Sequence, residues 1–143
     1  MILIDANLLL YAYHPRAEHH RRSREWIESV FAGPDPVRLA WMTLQAFLRI
    51  STSPRIFDHP LRMDEATVFV GGSLAQPFVE TLEPGERYWT ILEGLLRNAQ
   101  VSGALVPDAA LAALAIEHGS TLCTTDRDFA RFPGLKTLNP LAA

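Results

Sequence analysis

Cysteine and long apolar runs are almost absent from this sequence. Cys123 is the only cysteine in 143 residues, which excludes an internal disulfide and any zinc site built from several cysteines. No apolar run approaches the length of about 20 residues that a membrane-spanning helix needs. The first residues also lack the basic segment and cleavage site of an exported protein. We therefore expect a protein of the cytoplasm with no membrane partner.

Lysine is equally scarce. Lys136 is the only lysine among 13 basic residues, and 16 acidic residues bring the net charge to −3. This overall charge decides nothing about a nucleic-acid partner. A local cluster of arginines at positions 16, 21, 22 and 24 suits phosphate, which guanidinium groups bind in a bidentate manner. The alternative is that this cluster is the solvated face of a helix.

Short apolar segments alternate along the chain with amphipathic ones, and this alternation is typical of an α/β domain. We expect one domain over residues 1–143, with a short parallel sheet flanked by helices. The predicted strands are 2–4, 37–40, 78–82, 121–124 and 136–138. The predicted helices are 8–13, 18–31, 43–50, one starting at 64, 84–98 (with Pro84 in its first turn), 107–118 and 126–132.

Several aspartates stand at predicted strand ends or helix starts. Asp5 follows the first strand, Asp126 follows a late strand with Asp128 two residues on, and Asp108 opens a helix. Ligands of parallel sheets bind beyond the carboxyl ends of the strands, so these side chains can converge. Asp108 and Asp126 have an alternative role as helix N-caps.

A converging set of carboxylates has a chemical consequence. Neighbouring carboxylates repel each other, so they either take up a proton or recruit a cation. Because the oxygen donors have no cysteine or histidine cluster beside them, they favour Mg²⁺ or Mn²⁺ over zinc. Such a site in an α/β domain is suited to phosphate chemistry. Asn7 and the hydroxyls of Thr124 and Thr125 are candidates for orienting the substrate or metal-bound water. The alternative for these residues is a local turn hydrogen bond.

Three segments together resemble the PIN-domain ribonucleases, and most closely the VapC toxins of bacterial toxin–antitoxin pairs. The chain opens with MILIDANLLLYAY, contains LRISTSPRIF near its middle, and continues towards its end with LVPDAALAALAIEHGSTLCTTDRDFARFPGL. The blocks DAN, PDAALAALA and TTDRDF have the order and separation found in that family. The resemblance implies a three-layer PIN-like fold and covers nearly the whole chain.

The resemblance also implies an activity and a set of site residues. Asp5, Asp108 and Asp126 match the catalytic, metal-binding aspartates of the family, and Asp128 matches an accessory metal-binding acid beside them. The implied reaction is endonucleolytic hydrolysis of RNA phosphodiester bonds, dependent on Mg²⁺ (or Mn²⁺), with transfer RNA or ribosomal RNA as the substrate.

Other residues are candidates for holding the RNA. Arg49 and Arg55 are placed to contact phosphates flanking the cleaved bond, since an acidic pocket alone repels RNA. Phe57 and Tyr13 are candidates for stacking on bases, and their alternative is a place in the core or an interface. The resemblance further implies a homodimer that is held inactive by a VapB-type antitoxin.

One position departs from the family pattern. Many members carry a glutamate at about the position of Ala46, beside Gln45, so this site has one fewer charge. Either the site holds metal more weakly, or a water completes the shell around the ion. The departure supports an alternative function, a catalytically weakened PIN-like module that binds RNA or protein. A nuclease that works without an antitoxin is a further possibility.

A phosphatase of the haloacid dehalogenase type also places an aspartate after its first strand. Its chemistry needs a second acid two residues on, where this chain has Asn7. It also needs a well-placed lysine, whereas Lys136 falls in the last predicted strand. Both features weigh against that assignment.

Overall fold

The centre of the protein is a parallel sheet with the strand order β3-β2-β1-β4-β5. The computed structural model describes residues 1–142. Within them the strands are β1 (Ile2–Ile4), β2 (Val37–Ala40), β3 (Val79–Leu82), β4 (Thr121–Cys123) and β5 (Thr137–Leu138). Central β1 pairs with β2 on one side and with β4 on the other. The chain therefore changes direction across the sheet between β1 and β4, which is the crevice where parallel sheets bind ligands.

Helices cover both faces of the sheet, as the sequence predicted. They are α1 (Ala6–Tyr13), α2 (His20–Phe31), α3 (Trp41–Ser51), α4 (Met63–Leu74), α5 (Tyr88–Asn98) and α6 (Val106–His118). The predicted helix at 126–132 is a short 3₁₀ helix, Arg127–Arg131. Among residues 1–142 no helix has both the length and the apolar character needed to cross a membrane.

The prediction that a helix starts at Pro84 is wrong, because α5 begins at Tyr88. The carboxylate of Glu117 explains the difference. It accepts hydrogen bonds from the backbone N–H groups of Gly85 (2.7 Å) and Arg87 (2.9 Å). These bonds hold the segment before α5 as a loop against the end of α6.

Alternate residues of the strands supply two separate apolar cores. Ile4 of β1 packs in the core formed with α1 to α4, whereas its neighbour Leu3 packs in the core formed with α5 and α6. Both side chains are fully buried, because successive side chains of a strand point to opposite faces. The expected arrangement of a parallel sheet between two helical layers is confirmed.

The arginine cluster lies largely on the exposed face of α2. Arg21 pairs with Glu25 at 3.2 Å and Arg24 pairs with Glu28 at 2.8 Å, each one turn along the helix. These ion pairs favour the solvated helix face over phosphate contact for that part of the cluster. Arg16 lies outside the helix and has no acid partner among residues 1–142.

Candidate active site

Asp5 is held firmly at the end of β1. Its backbone N–H donates to the carbonyl of Cys123 at 3.0 Å, so the ends of β1 and β4 are tied together at this residue. Its side chain caps α1 by accepting from the N–H of Ala6 at 2.8 Å. Its other oxygen accepts from the hydroxyl of Thr124 at 2.7 Å. The carboxylate is therefore fixed in position and 9% exposed.

Burial raises the pKa of Asp5 above its ordinary value, even though the bonds from Thr124 and Ala6 lower it. The negative charge of Asp126 raises it further. A nearby cation would stabilise the negatively charged form of such a buried carboxylate.

Thr124 connects two of the predicted site residues. While its hydroxyl donates to Asp5, it accepts from the backbone N–H of Asp126 at 3.0 Å. Asp126 in turn accepts from the N–H of Asp128 at 2.8 Å and so caps the 3₁₀ helix. The capping role and a place in the site are therefore compatible for Asp126.

Asp108 enters the site from the other helical layer. It is the third residue of α6, whose N-cap is Leu105, so the capping alternative is wrong for Asp108. Burial raises its pKa to about 6, and the charges of Asp126, Asp5 and Asp128 add to the effect. The charges of these acids, which are distant in sequence, therefore act on the carboxyl group of Asp108.

A cavity of about 300 Å³ opens between these residues at the carboxyl end of β1. The acids Asp5, Asp108 and Asp126 line it, and Asn7 and Arg49 line it as well. The cavity therefore brings together five of the residues selected from the sequence. Its position matches the crevice at which the chain changes direction across the sheet.

Three of the predicted site residues do not line this cavity. Asp128 lies beyond Asp126, where its side chain is 3.9 Å from Arg131, and it acts on Asp108 through its charge. Thr125 and Arg55 are also absent from the cavity wall. Thr125 is adjacent to the linking Thr124, and Arg55 is exposed in the segment after α3.

Thr43 was not among the site residues predicted from the sequence. This residue of α3 is buried and lines the cavity one turn before Ala46, which also lines it. Thr43 lies three residues before Ala46, at about the position of the family's glutamate. Because residues three apart share a helix face, this spacing could have indicated that Thr43 faces the site. Ala46 leaves the wall of the cavity apolar where a carboxylate was expected from the family pattern.

The donor set suits a hard divalent cation. In the described part of the chain, no three aspartate, glutamate, histidine or cysteine side chains are grouped closely enough to hold a metal ion jointly. The cavity nevertheless offers carboxylate oxygens from Asp5, Asp108 and Asp126. Two of these groups have raised pKa values because they are buried near other negative charges. Oxygen donors with excess negative charge are the ligands that Mg²⁺ and Mn²⁺ prefer.

Comparisons with known proteins agree with this architecture. A family model described as the PIN domain matches residues 2–135. Ribonuclease VapC31 of Mycobacterium tuberculosis is 39% identical over 140 residues, which are 98% of this chain and 99% of that protein. Ribonuclease VapC37 of the same organism is 39% identical over 142 residues, 99% of each chain. Both similarities extend over nearly the full length.

A solved structure has the same fold at lower sequence identity. The chain aligns with VapBC2 from Rickettsia felis, bound to a DNA fragment from their promoter, with a TM-score of 0.71. The identity is 18%, and the alignment covers 97% of this chain and 98% of that one.

Proposed function

This chain belongs to the PIN-domain family, and from that premise we propose that it is an endoribonuclease, the toxin of a VapBC-type toxin–antitoxin pair. The observation that carries the proposal is the meeting of Asp5, Asp108 and Asp126 in one cavity. They come from three separate parts of the chain and lie at the crevice where parallel sheets bind ligands. The relatives named ribonucleases, 39% identical over nearly the whole chain, support the same activity.

The proposed reaction depends on a divalent cation, Mg²⁺ or Mn²⁺. Asp5, Asp108 and Asp126 line one cavity but are not grouped closely enough to coordinate one ion together, so they would hold it in part through bound water. Asp128 would add negative charge beside them. When bound, such an ion neutralises charge on the phosphoryl group and lowers the pKa of water. Thr124 keeps the Asp5 carboxylate oriented through its 2.7 Å hydrogen bond. A fixed carboxylate positions its ligand with little loss of conformational entropy.

The remaining wall of the cavity suits an RNA strand. Arg49 has no acid partner among residues 1–142 and lines the cavity, so its guanidinium is available to a phosphate. Asn7 lies two residues after Asp5 in the same wall and offers an amide to the phosphate or the ribose. Thr125 and Arg55, outside the wall, would contact more distant parts of the substrate.

The proposed substrate is RNA, either transfer RNA or ribosomal RNA, and the proposed location is the cytoplasm. We propose a homodimer bound by a VapB-type antitoxin. Exposed apolar side chains, among them Trp41, Val68 and Trp89, provide surface for such protein contacts.

Ala46 supports a second candidate function. Its methyl group lines the cavity where a further acid would strengthen cation binding. A site with this deficit could bind RNA or protein without cleaving it. The two functions differ in a single observable, which is cleavage of RNA in the presence of a divalent cation.

The test is a cleavage assay on purified protein with total transfer and ribosomal RNA. We expect cleavage with Mg²⁺ or Mn²⁺, none in EDTA, and none by Asp5→Asn, which keeps the size of the side chain. Asp35→Asn changes an exposed acid and should retain wild-type activity. Binding of RNA without cleavage under either cation would support the second candidate. Full activity in EDTA would contradict the proposed chemistry.

A further inference from the structure

We call the cavity lined by Asp5, Asp108 and Asp126 the catalytic cavity, after its proposed role. A second cavity lies at the opposite end of α1. Its volume is about 320 Å³, within the range of roughly 300–1,000 Å³ typical of ligand pockets. The residues that line it are His14, Arg16, Ile56, Phe57, Asp58 and His59. None of them lines the catalytic cavity.

The distance between the cavities suits one RNA strand. Asp5 caps the start of α1 and His14 caps its end, so the helix separates them by roughly 13 Å at a rise of 1.5 Å per residue. Stacked nucleotides advance by about 3.4 Å each along a strand. An RNA strand therefore needs about four nucleotides to cover this distance.

Phe57 is held rigidly in the wall of the second cavity. Its ring stacks on His14 with the centroids 4.0 Å apart and an angle of 17° between the planes. The backbone N–H of Arg16 donates to Nδ1 of His14 at 3.2 Å. Nδ1 therefore carries no proton, and Nε2 donates to the carbonyl of His59 at 3.1 Å. Because both ring nitrogens of His14 are engaged, the aromatic stack is fixed in place.

The cavity contains a guanidinium and a carboxylate that form no ion pair among residues 1–142. They belong to Arg16 and Asp58, which are both exposed. A guanidinium offers hydrogen-bond donors, and a carboxylate offers only acceptors. Guanine presents adjacent acceptors at O6 and N7 and also adjacent donors at N1 and N2. This combination matches an arginine and an aspartate in one pocket.

We propose that the second cavity binds an unpaired guanine of the RNA, stacked in the pocket formed by Phe57 and hydrogen-bonded to Arg16 and Asp58. The site selects the substrate and leaves the chemical step to the catalytic cavity. This guanine site rests on the proposed ribonuclease function. Binding of a guanine-containing RNA can nevertheless be measured separately from its cleavage.

The first experiment measures binding in EDTA, where no cleavage is expected. Fluorescence anisotropy compares a labelled single-stranded RNA of about ten nucleotides containing one guanine with the same RNA carrying adenine there. We expect the guanine RNA to bind about tenfold more tightly, because each well-formed pair of hydrogen bonds discriminates by about that factor or more. Asp58→Asn should reduce the preference for guanine, and Phe57→Leu should weaken binding of the guanine RNA about tenfold.

Arg21→Ala is the matched control, since Arg21 is on α2 and already paired with Glu25. It should bind both RNAs as the wild type does. Thermal melts of each variant establish that it is folded, and Phe57→Leu keeps an apolar side chain so that packing is largely preserved. Equal affinity for the two RNAs, or unchanged affinity in both Phe57→Leu and Asp58→Asn, overturns the proposal.

The second experiment measures cleavage. For the guanine RNA, Phe57→Leu should raise KM about tenfold with kcat unchanged, whereas a dinucleotide too short to reach the cavity should be cleaved equally by variant and wild type. If no RNA is cleaved by any form of the protein while guanine binding persists, the ribonuclease function fails and the guanine site stands. If the variants weaken binding of a co-purified antitoxin and leave RNA affinity unchanged, the cavity is a protein site and the proposal is overturned.

Discussion

The hydroxyl of Thr124 donates a 2.7 Å hydrogen bond to the carboxylate of Asp5, although the two residues are 119 positions apart. The bond crosses from the end of β4 to the end of β1, where Ile4 and Cys123 are paired in the sheet. The same hydroxyl accepts from the N–H of Asp126. The geometry of two catalytic candidates thus depends on one buried side chain.

Thr124→Val tests this dependence because valine keeps the shape of threonine and removes the hydroxyl. We expect RNA cleavage to fall by about 10–100-fold, as is usual when the partner of a metal-binding residue is lost. The free energy of unfolding should fall by about 1–3 kcal/mol, since the partly buried N–H of Asp126 loses its acceptor. Thr124→Ser restores the hydroxyl and should recover most of the activity. Equal activity in Thr124→Val and the wild type would show that the link is dispensable.

Asp108→Asn tests the repulsion among the carboxylates. The pKa of Asp108 is raised from its ordinary value of about 3.8 to about 6. The stabilisation of the folded state by this shift is therefore complete below about pH 3.8 and is lost as the pH rises through about 6. At about pH 7.5 in EDTA, removing the charge should raise the free energy of unfolding by about 1 kcal/mol, a figure reduced because the side chain is half-exposed.

Urea melts with and without Mg²⁺ check this prediction. Mg²⁺ should stabilise the wild type more than Asp108→Asn, because only a ligand that binds the folded state better raises its stability. Asp35→Asn, at an exposed acid, should respond to Mg²⁺ as the wild type does. A destabilised Asp108→Asn in EDTA, or an undiminished response to Mg²⁺, would count against a repelling carboxylate cluster.

Ala46→Glu places an acid in the wall of the catalytic cavity. Its charge adds to that of the existing acids, so we expect a lower melting temperature in EDTA and a larger rise on addition of Mn²⁺. Ala46→Gln has a similar size without the charge and serves as the control. If both variants respond to Mn²⁺ as the wild type does, position 46 does not face the bound cation.

The lowered pKa of His14 predicts that the free energy of unfolding depends on pH. This effect is separate from the catalytic cavity. Burial lowers the pKa of His14, and the positive charges of Arg16 and His20 lower it further. A lowered pKa means that its contribution to stability is present above the ordinary value of about 6.5 and is lost as the pH falls through the lower value of the folded state.

The measurement compares urea melts of wild type and His14→Gln at about pH 7.5 and about pH 5. The free energy of unfolding of the wild type should fall more between these pH values than that of the variant. His118→Gln, at a helix end beside the carbonyl of Glu83, should keep the wild-type difference. Parallel losses in wild type and His14→Gln would show that His14 does not titrate with folding.

Much of the fold could be predicted because local patterns specify it. The apolar segment at residues 2–4 followed by Asp5 identifies the first strand and its functional end. The start of α5 was predicted wrongly because it depends on Glu117, which is 32 residues from the Gly85 N–H that it binds. No local pattern indicates such a distant hydrogen bond.

The site was predictable to a similar extent. Aspartates at strand ends were identified because their position in a parallel sheet has a general meaning. The hydrogen bond from Thr124 to Asp5 was not, since it depends on the register between β1 and β4. The pocket around Phe57 depends equally on the contact between the end of α1 and the segment after α3, which sequence spacing does not reveal.

The central claim is that Asp5, Asp108 and Asp126 share a divalent cation on which RNA cleavage depends. Anomalous diffraction from crystals soaked in Mn²⁺ tests it most directly. We predict an anomalous peak in the catalytic cavity, held by these carboxylates directly or through bound water, that disappears in Asp5→Asn. An empty cavity in crystals of a protein that cleaves RNA in Mn²⁺ solution would contradict the claim.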